Sequence, residues 1–173
     1  DVYFIPARAV HAIGAGCLIL EVQEPTDFTI QPERWCGDYR LSDREMFLGL
    51  SKDEALDCFD FSFTADKVMA QCKKMPEIIE ATNGFTRESL ISRDDTPCFS
   101  VERYRVNNGK TALLPAPAVY VVTSGRGALR LLDRDYIKEI KKGDYFFSPY
   151  AINQKLFAVS DDYVEIVACL PPI

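Results

Sequence analysis

Asp144-Tyr145-Phe146-Phe147-Ser148-Pro149-Tyr150-Ala151-Ile152-Asn153-Gln154 repeats the opening of the chain, Asp1-Val2-Tyr3-Phe4-Ile5-Pro6-Ala7-Arg8-Ala9-Val10-His11. Each copy starts at an Asp, passes through aromatic residues to a Pro five positions on, and reaches a polar residue five positions further. A strand-like run follows each copy, Cys17 to Val22 after the first and Tyr163 to Ala168 after the second. Self-similarity of this kind marks a repeated structural unit and governs the reading of what lies between. It predicts two β modules. The closing position holds His11 in one copy and Gln154 in the other, and His11 is the only histidine in the chain.

Around the second copy the pattern is β throughout. Phe99 to Val106 alternates, and Asn107-Asn108-Gly109 is a turn. Ala118 to Thr123 and Gly127 to Leu132 read as two strands joined by a glycine-bearing hairpin loop, Ser124-Gly125-Arg126. With Tyr136 to Ile140, Tyr145 to Ser148, Leu156 to Val159 and Tyr163 to Leu170, this makes about eight strands at short spacing. Such a series suggests a closed antiparallel barrel or jelly roll.

Upstream the character changes. Val2 to Pro6 and Cys17 to Val22 read as strands, with Leu18, Leu20 and Val22 on one face and Ile19 and Glu21 on the other. Pro25, Pro32 and Cys36-Gly37-Asp38 form an irregular link. Ser42 stands three residues before Glu45, and Ser51 three before Glu54, the spacing of two capping boxes. Thr64 precedes a run from Ala65 to Lys74 with an apolar stripe of Val68, Met69 and Cys72, stopped by Pro76. Three short helices are expected, packing their stripes against a sheet. Residues 77–98 are mixed, with turns at Asn83-Gly84 and Asp94-Asp95-Thr96-Pro97.

The 173 residues are 47% apolar, enough for a sizeable core in one domain or two small ones. A net charge of −6 argues against a nucleic-acid partner, which needs clustered Lys and Arg. No run reaches the roughly 20 apolar residues of a membrane helix, and no secretory segment is visible. The six cysteines are scattered, none in a C-x-x-C pair, and read as reduced intracellular core thiols.

Ser124-Gly125-Arg126-Gly127, a strand, and then Lys142-Gly143-Asp144-Tyr145-Phe146-Phe147-Ser148-Pro149 resembles the cupin superfamily. The first copy is more specific. Tyr3-Phe4-Ile5-Pro6, Val10-His11-Ala12-Ile13-Gly14-Ala15-Gly16 and Leu18-Ile19-Leu20-Glu21-Val22-Gln23 resembles the type I phosphomannose isomerases over about the first 30 residues. That family interconverts mannose 6-phosphate and fructose 6-phosphate using one zinc ion. In it this stretch ends the catalytic cupin, and a degenerate second cupin follows. The resemblance implies a mostly β fold with a short helical insert. Residues 1–35 would be the C-terminal strands of a truncated catalytic cupin, 36–97 a helical and irregular insert, and 98–173 a degenerate cupin-type barrel or jelly roll. Opening at Asp1, inside the first repeat copy, reads as a piece of a longer protein.

By the same resemblance His11 takes the place of the family's last zinc ligand, a role suited to a neutral imidazole on a rigid turn. The other ligands, a Gln, a His and a Glu, are expected upstream. Glu21 matches a carboxylate lining the family's site, where it would move a proton or orient a ligand; the alternative is an outward-facing strand residue. The family's Thr-Tyr-Arg segment departs here: Thr26-Asp27-Phe28-Thr29 runs into Ile30-Gln31, so Gln31 stands at the Arg position and supplies no fixed charge. Arg34 is the candidate replacement, with Arg40 further along, unless both are solvated loop charges. Gln154 leaves the second copy without its imidazole and suggests a structural role there.

These residues predict the C-terminal part of a zinc-dependent aldose–ketose isomerase. Its expected partners are a sugar phosphate and the N-terminal part of the same protein, and it is expected in the cytoplasm. The alternatives are a non-catalytic sugar-binding or regulatory cupin and a purely structural one. Taken alone, the chain is expected to be catalytically inert, because one His and one carboxylate do not complete a zinc centre.

Overall fold

The computed structural model describes residues 1–25 and 28–172; Thr26 and Asp27 of the departing segment lie outside them. The chain divides into two compact units, one from Tyr3 to Lys73, the other from Lys74 onward together with Asp1 and Val2. In chain order the elements are β1 (Val2–Tyr3), β2 (Trp35–Cys36), β3 (Tyr39–Arg40), α1 (Asp43–Phe47), α2 (Lys52–Asp57), α3 (Ala65–Gln71), β4 (Lys73–Lys74), β5 (Glu77–Thr82), β6 (Phe85–Ile91), β7 (Ser100–Asn107), β8 (Lys110–Leu114), β9 (Ala118–Leu131), β10 (Ile137–Lys141), β11 (Tyr145–Ser148), a 3-10 turn (Tyr150–Ile152), β12 (Leu156–Ser160) and β13 (Tyr163–Leu170). The fold is mostly β with a short helical part and a curled sheet, as the sequence led one to expect.

The unit from Lys74 is a jelly roll wound about β9. The strand order is β5-β6-β7-β13-β9-β12-β8, with β10 and β11 also paired to β9. The expected hairpin at Ser124-Gly125-Arg126 is not there. Instead β9 runs unbroken through fourteen residues. Its first half pairs with β13 and β11 and its second with β12 and β10. Two glycines make this corner possible. Gly125 has φ +72°, and a Cβ on it would lie 2.0 Å from the Tyr163 carbonyl oxygen; one on Gly127 would lie 2.4 Å from that of Val159. The backbones approach too closely for any side chain, so the glycines mark a bend between sheets rather than a loop.

Strand alternation then sorts the side chains. Tyr104, Val106, Leu114, Tyr120, Val122, Val164 and Ile166 face inward and are almost wholly buried. Tyr120 stacks on Phe146 with ring centroids 4.9 Å apart. At about 25 cal/mol per Å² of apolar surface, these rings and branched chains dominate the unit's stability. The unit runs from Lys74. Residues 77–98, mixed by sequence, supply β5 and β6, joined by the two-residue loop Asn83-Gly84, with Gly84 at φ +87°. Charges at strand positions obscured them: Glu88, Arg103, Arg105 and Glu165 form one cross-strand ladder.

In the other unit the three predicted helices are present. Both capping boxes form, the Ser42 and Ser51 backbone N–H groups donating to Glu45 and Glu54 at 2.8 and 2.9 Å. Thr64 precedes α3 but makes no side-chain cap bond. Met46, Phe47 and Ala55 form a small core with Ile30 and Leu41 against it. The expected strand over Cys17 to Val22 does not form, and the expected strand from Val2 to Pro6 is only two residues long. A strand exists by pairing, and no neighbour lies along Cys17 to Val22 among the described residues. Of the six thiols, none is bridged and only Cys72 is buried; Cys17, Cys36 and Cys58 are exposed, which corrects the expectation of core thiols.

Candidate functional site

The two copies of the opening repeat fold differently. In the second, Ser148 ends β11 and Pro149 starts the 3-10 turn, after which Gln154 turns through φ +59°. In the first, Pro6 lies beyond a two-residue strand, and the chain turns at Ala7-Arg8, with Arg8 at φ +72°. Arg8 is the residue that the sequence did not single out. Its guanidinium donates to the carbonyls of Cys58 and Asp57 at the end of α2, at 3.1 and 3.2 Å. Its own carbonyl accepts from the Asp60 N–H at 2.9 Å. An Arg at a helix C-terminus satisfies orphan carbonyls, and here the same contacts anchor the turn that presents His11. No local pattern of residues announces this, since the partners are 49 and 50 positions away.

His11 is exposed, with Nδ1 2.9 Å from the Ala9 carbonyl oxygen. A carbonyl partner makes Nδ1 the protonated nitrogen and leaves the Nε2 lone pair free, the tautomer a metal-ligating histidine uses. Glu21 is exposed and has no hydrogen bond or ion pair among the described residues. Arg34 is committed: its NH2 donates to Asp43 at 2.6 Å and its NH1 to the Leu41 carbonyl at 3.2 Å. Arg40 is exposed on β3 and has no ion pair among the described residues. Gln31 is exposed, its N–H donating to the Met46 carbonyl at 2.9 Å. No group of three or more His, Cys, Asp or Glu side chains suited to one metal ion occurs among the described residues.

Several polar groups of the jelly roll pair with one another across the sheet. Inside it, Arg87 grips Glu102 with two bonds of 2.8 Å, and the Tyr104 hydroxyl donates to the same carboxylate at 2.6 Å. Burial, aided by Glu102, pushes the Tyr104 hydroxyl's pKa well up. On the other face of the sheet, Glu88 accepts from Arg103 at 2.7 Å and lies 3.2 Å from Arg105, which also donates to Glu165 at 3.0 Å. Burial pushes the Glu165 carboxyl up, but bonds from Thr123 and Arg105 outweigh it and hold the group below its ordinary range. These are paired, satisfied charges of the kind a sheet tolerates.

No family profile matches the chain. Mannose-6-phosphate isomerase ManA of Bacillus subtilis is 24% identical over 156 residues, which is 89% of this chain and 44% of that protein. Mannose-6-phosphate isomerase of Streptococcus mutans is 25% identical over 170 residues, 97% of this chain and 48% of that protein. The chain thus spans about half the length of the curated relatives it matches. Among solved structures, an RmlC-like cupin from Shewanella frigidimarina aligns at 19% identity and TM-score 0.45 over 57% of this chain and 86% of its own. The polyketide cyclase RemF from Streptomyces resistomycificus aligns at 18% identity and TM-score 0.45, over 57% of this chain and 74% of its own. The chain itself is mostly β, with a curled sheet. Over most of its length the chain is similar to mannose-6-phosphate isomerases, and it matches about half of each.

Proposed function

We propose that this chain is the C-terminal part of a zinc-dependent isomerase that interconverts mannose 6-phosphate and fructose 6-phosphate in the cytoplasm. The observation that carries the reading is the match to two mannose-6-phosphate isomerases over 89% and 97% of the chain. The geometry of the His11 turn supports it. A turn pinned through Arg8, with Nδ1 occupied and Nε2 free, fits one ligand of a zinc centre. The remaining ligands would come from the N-terminal part of the same protein. A zinc ion there supplies Lewis-acid polarisation of the sugar oxygens. Glu21, with no partner of its own among the described residues, would take a proton from the carbon beside the carbonyl and return it to its neighbour. Arg34 would supply the positive charge that Gln31 does not, provided that it leaves Asp43; Arg40 is the rival for that role.

The test uses the full-length protein and residues 1–173 in parallel. The full-length protein should interconvert the two sugar phosphates and bind zinc. His11→Ala should lose the zinc, read by elemental analysis, and the activity with it. Residues 1–173 alone should be inactive with added zinc. Undiminished zinc in His11→Ala, or turnover by residues 1–173 alone, overturns the assignment of the centre. An inactive full-length protein overturns the isomerase reading. Arg34→Gln should raise KM for the phosphate substrate more than Arg40→Gln does; the reverse gives the role to Arg40.

A further inference from the structure

Between β10 and β11 the wall of the jelly roll opens. β10 follows the second half of β9 and β11 the first, and Lys142-Gly143-Asp144 spans the step between them, with Gly143 at φ +94°. The opening is a cleft of about 490 Å³ lined by Leu129, Ile140, Phe146, Ile152, Leu156 and Lys138, among others. That volume lies within the range of small-molecule sites, which combine an apolar wall with few polar groups. Lys138 is cross-strand partner to Leu129 and two residues before Ile140, both core residues. By strand alternation it shares their inward face while remaining exposed. It has no ion pair among the described residues. The carboxylate that shares the cleft, Asp144, accepts from the Lys141 N–H at 2.9 Å and so is tied to the turn.

We propose that this cleft binds a small amphipathic carboxylate, its apolar body on the partly accessible Leu131, Tyr136, Phe146 and Ile152 and its charge on the Lys138 ammonium. One cation in an apolar wall suits a monoanion. A phosphate dianion would meet Asp144 with only one ammonium to offset it, whereas a monoanion leaves less charge unbalanced. The site is independent of the His11 turn, so its test does not depend on the isomerase reading.

Phenylbutyrate and its neutral amide, phenylbutyramide, serve as probes, titrated calorimetrically into residues 1–173. The acid should bind saturably and at least about tenfold more tightly than the amide, the scale of one charge contact worth about 1.4 kcal/mol. Lys138→Met should abolish that preference while leaving the amide's affinity unchanged. Lys141→Met, on the outward register, should leave both unchanged. Amide NMR shifts on binding should cluster at Leu129, Ile140 and Gly143. Absence of saturation at millimolar acid, equal affinity for acid and amide, or a preference that survives Lys138→Met each overturns the proposal.

Discussion

Two stretches with the same strand pattern meet different fates. Tyr163 to Leu170 lies between β7 and β9, and Val164, Ile166 and Ala168 are wholly buried. Leu18, Leu20 and Val22 alternate just as regularly, yet no strand forms there and Leu18 is 93% exposed. Val10, Ile13 and Ile19 are exposed as well. Alternation specifies which side chains share a face, but the face is buried only if neighbours supply hydrogen bonds and a surface to cover. The difference teaches that a strand pattern states a requirement for partners and does not meet it.

The comparison breaks most sharply at glycine. Gly125→Ala should cost about 3–5 kcal/mol in urea unfolding followed by far-UV circular dichroism, because its Cβ meets backbone at 2.0 Å. Gly16→Ala, at φ +80° with open space around it, should cost only the left-handed backbone penalty of about 1–2 kcal/mol. Equal costs would mean that the corner of β9 is not where two backbones converge. Next comes the charge ladder. Glu88→Gln leaves Arg103 and Arg105 without their shared carboxylate and should cost about 2–4 kcal/mol by the same measurement. A change below about 0.5 kcal/mol would show the ladder to be solvated.

Acid sharpens the same contrast with a smaller effect. Glu165 is held below its ordinary pKa of 4.5, burial being outweighed by Thr123 and Arg105. Asp95 is held below 3.8, burial being outweighed by Lys74 and Ser92. A carboxyl with a lowered folded pKa adds stability above its unfolded pKa and loses it as the pH falls through the folded value. Stability should therefore be level from neutral pH down to about 4.5 and decline below that. Arg105→Met should shallow the decline, and an unchanged slope would remove Glu165 as its source. The smallest effect belongs to the exposed stretch: Leu18→Ser should change stability by less than about 0.5 kcal/mol. A larger loss would reveal a partner for that segment.

Much of this was legible early. The three helices were written in Ser42 with Glu45, in Ser51 with Glu54 and in the run ahead of Pro76, because caps and breakers act over three or four residues. The β character after residue 99 was equally plain. The β5–β6 hairpin was not, because Arg87, Glu88 and Arg103 hold strand positions through cross-strand ion pairs invisible before the register is known. His11 stood out as the lone imidazole of a repeated motif, but its anchoring by Arg8 did not, and neither did the pairing of Arg34 with Asp43.

By itself the sequence determined the three helices, the class of fold and the family likeness, all of which rest on residues close together or on a motif read in order. Only the tertiary structure decided that Ser124-Gly125-Arg126 bends one strand between sheets, that Cys17 to Val22 stays unpaired, and that Lys138 shares an apolar cleft with Phe146. Each of these depends on which backbone lies alongside another, and that is settled by contacts between residues far apart in the chain.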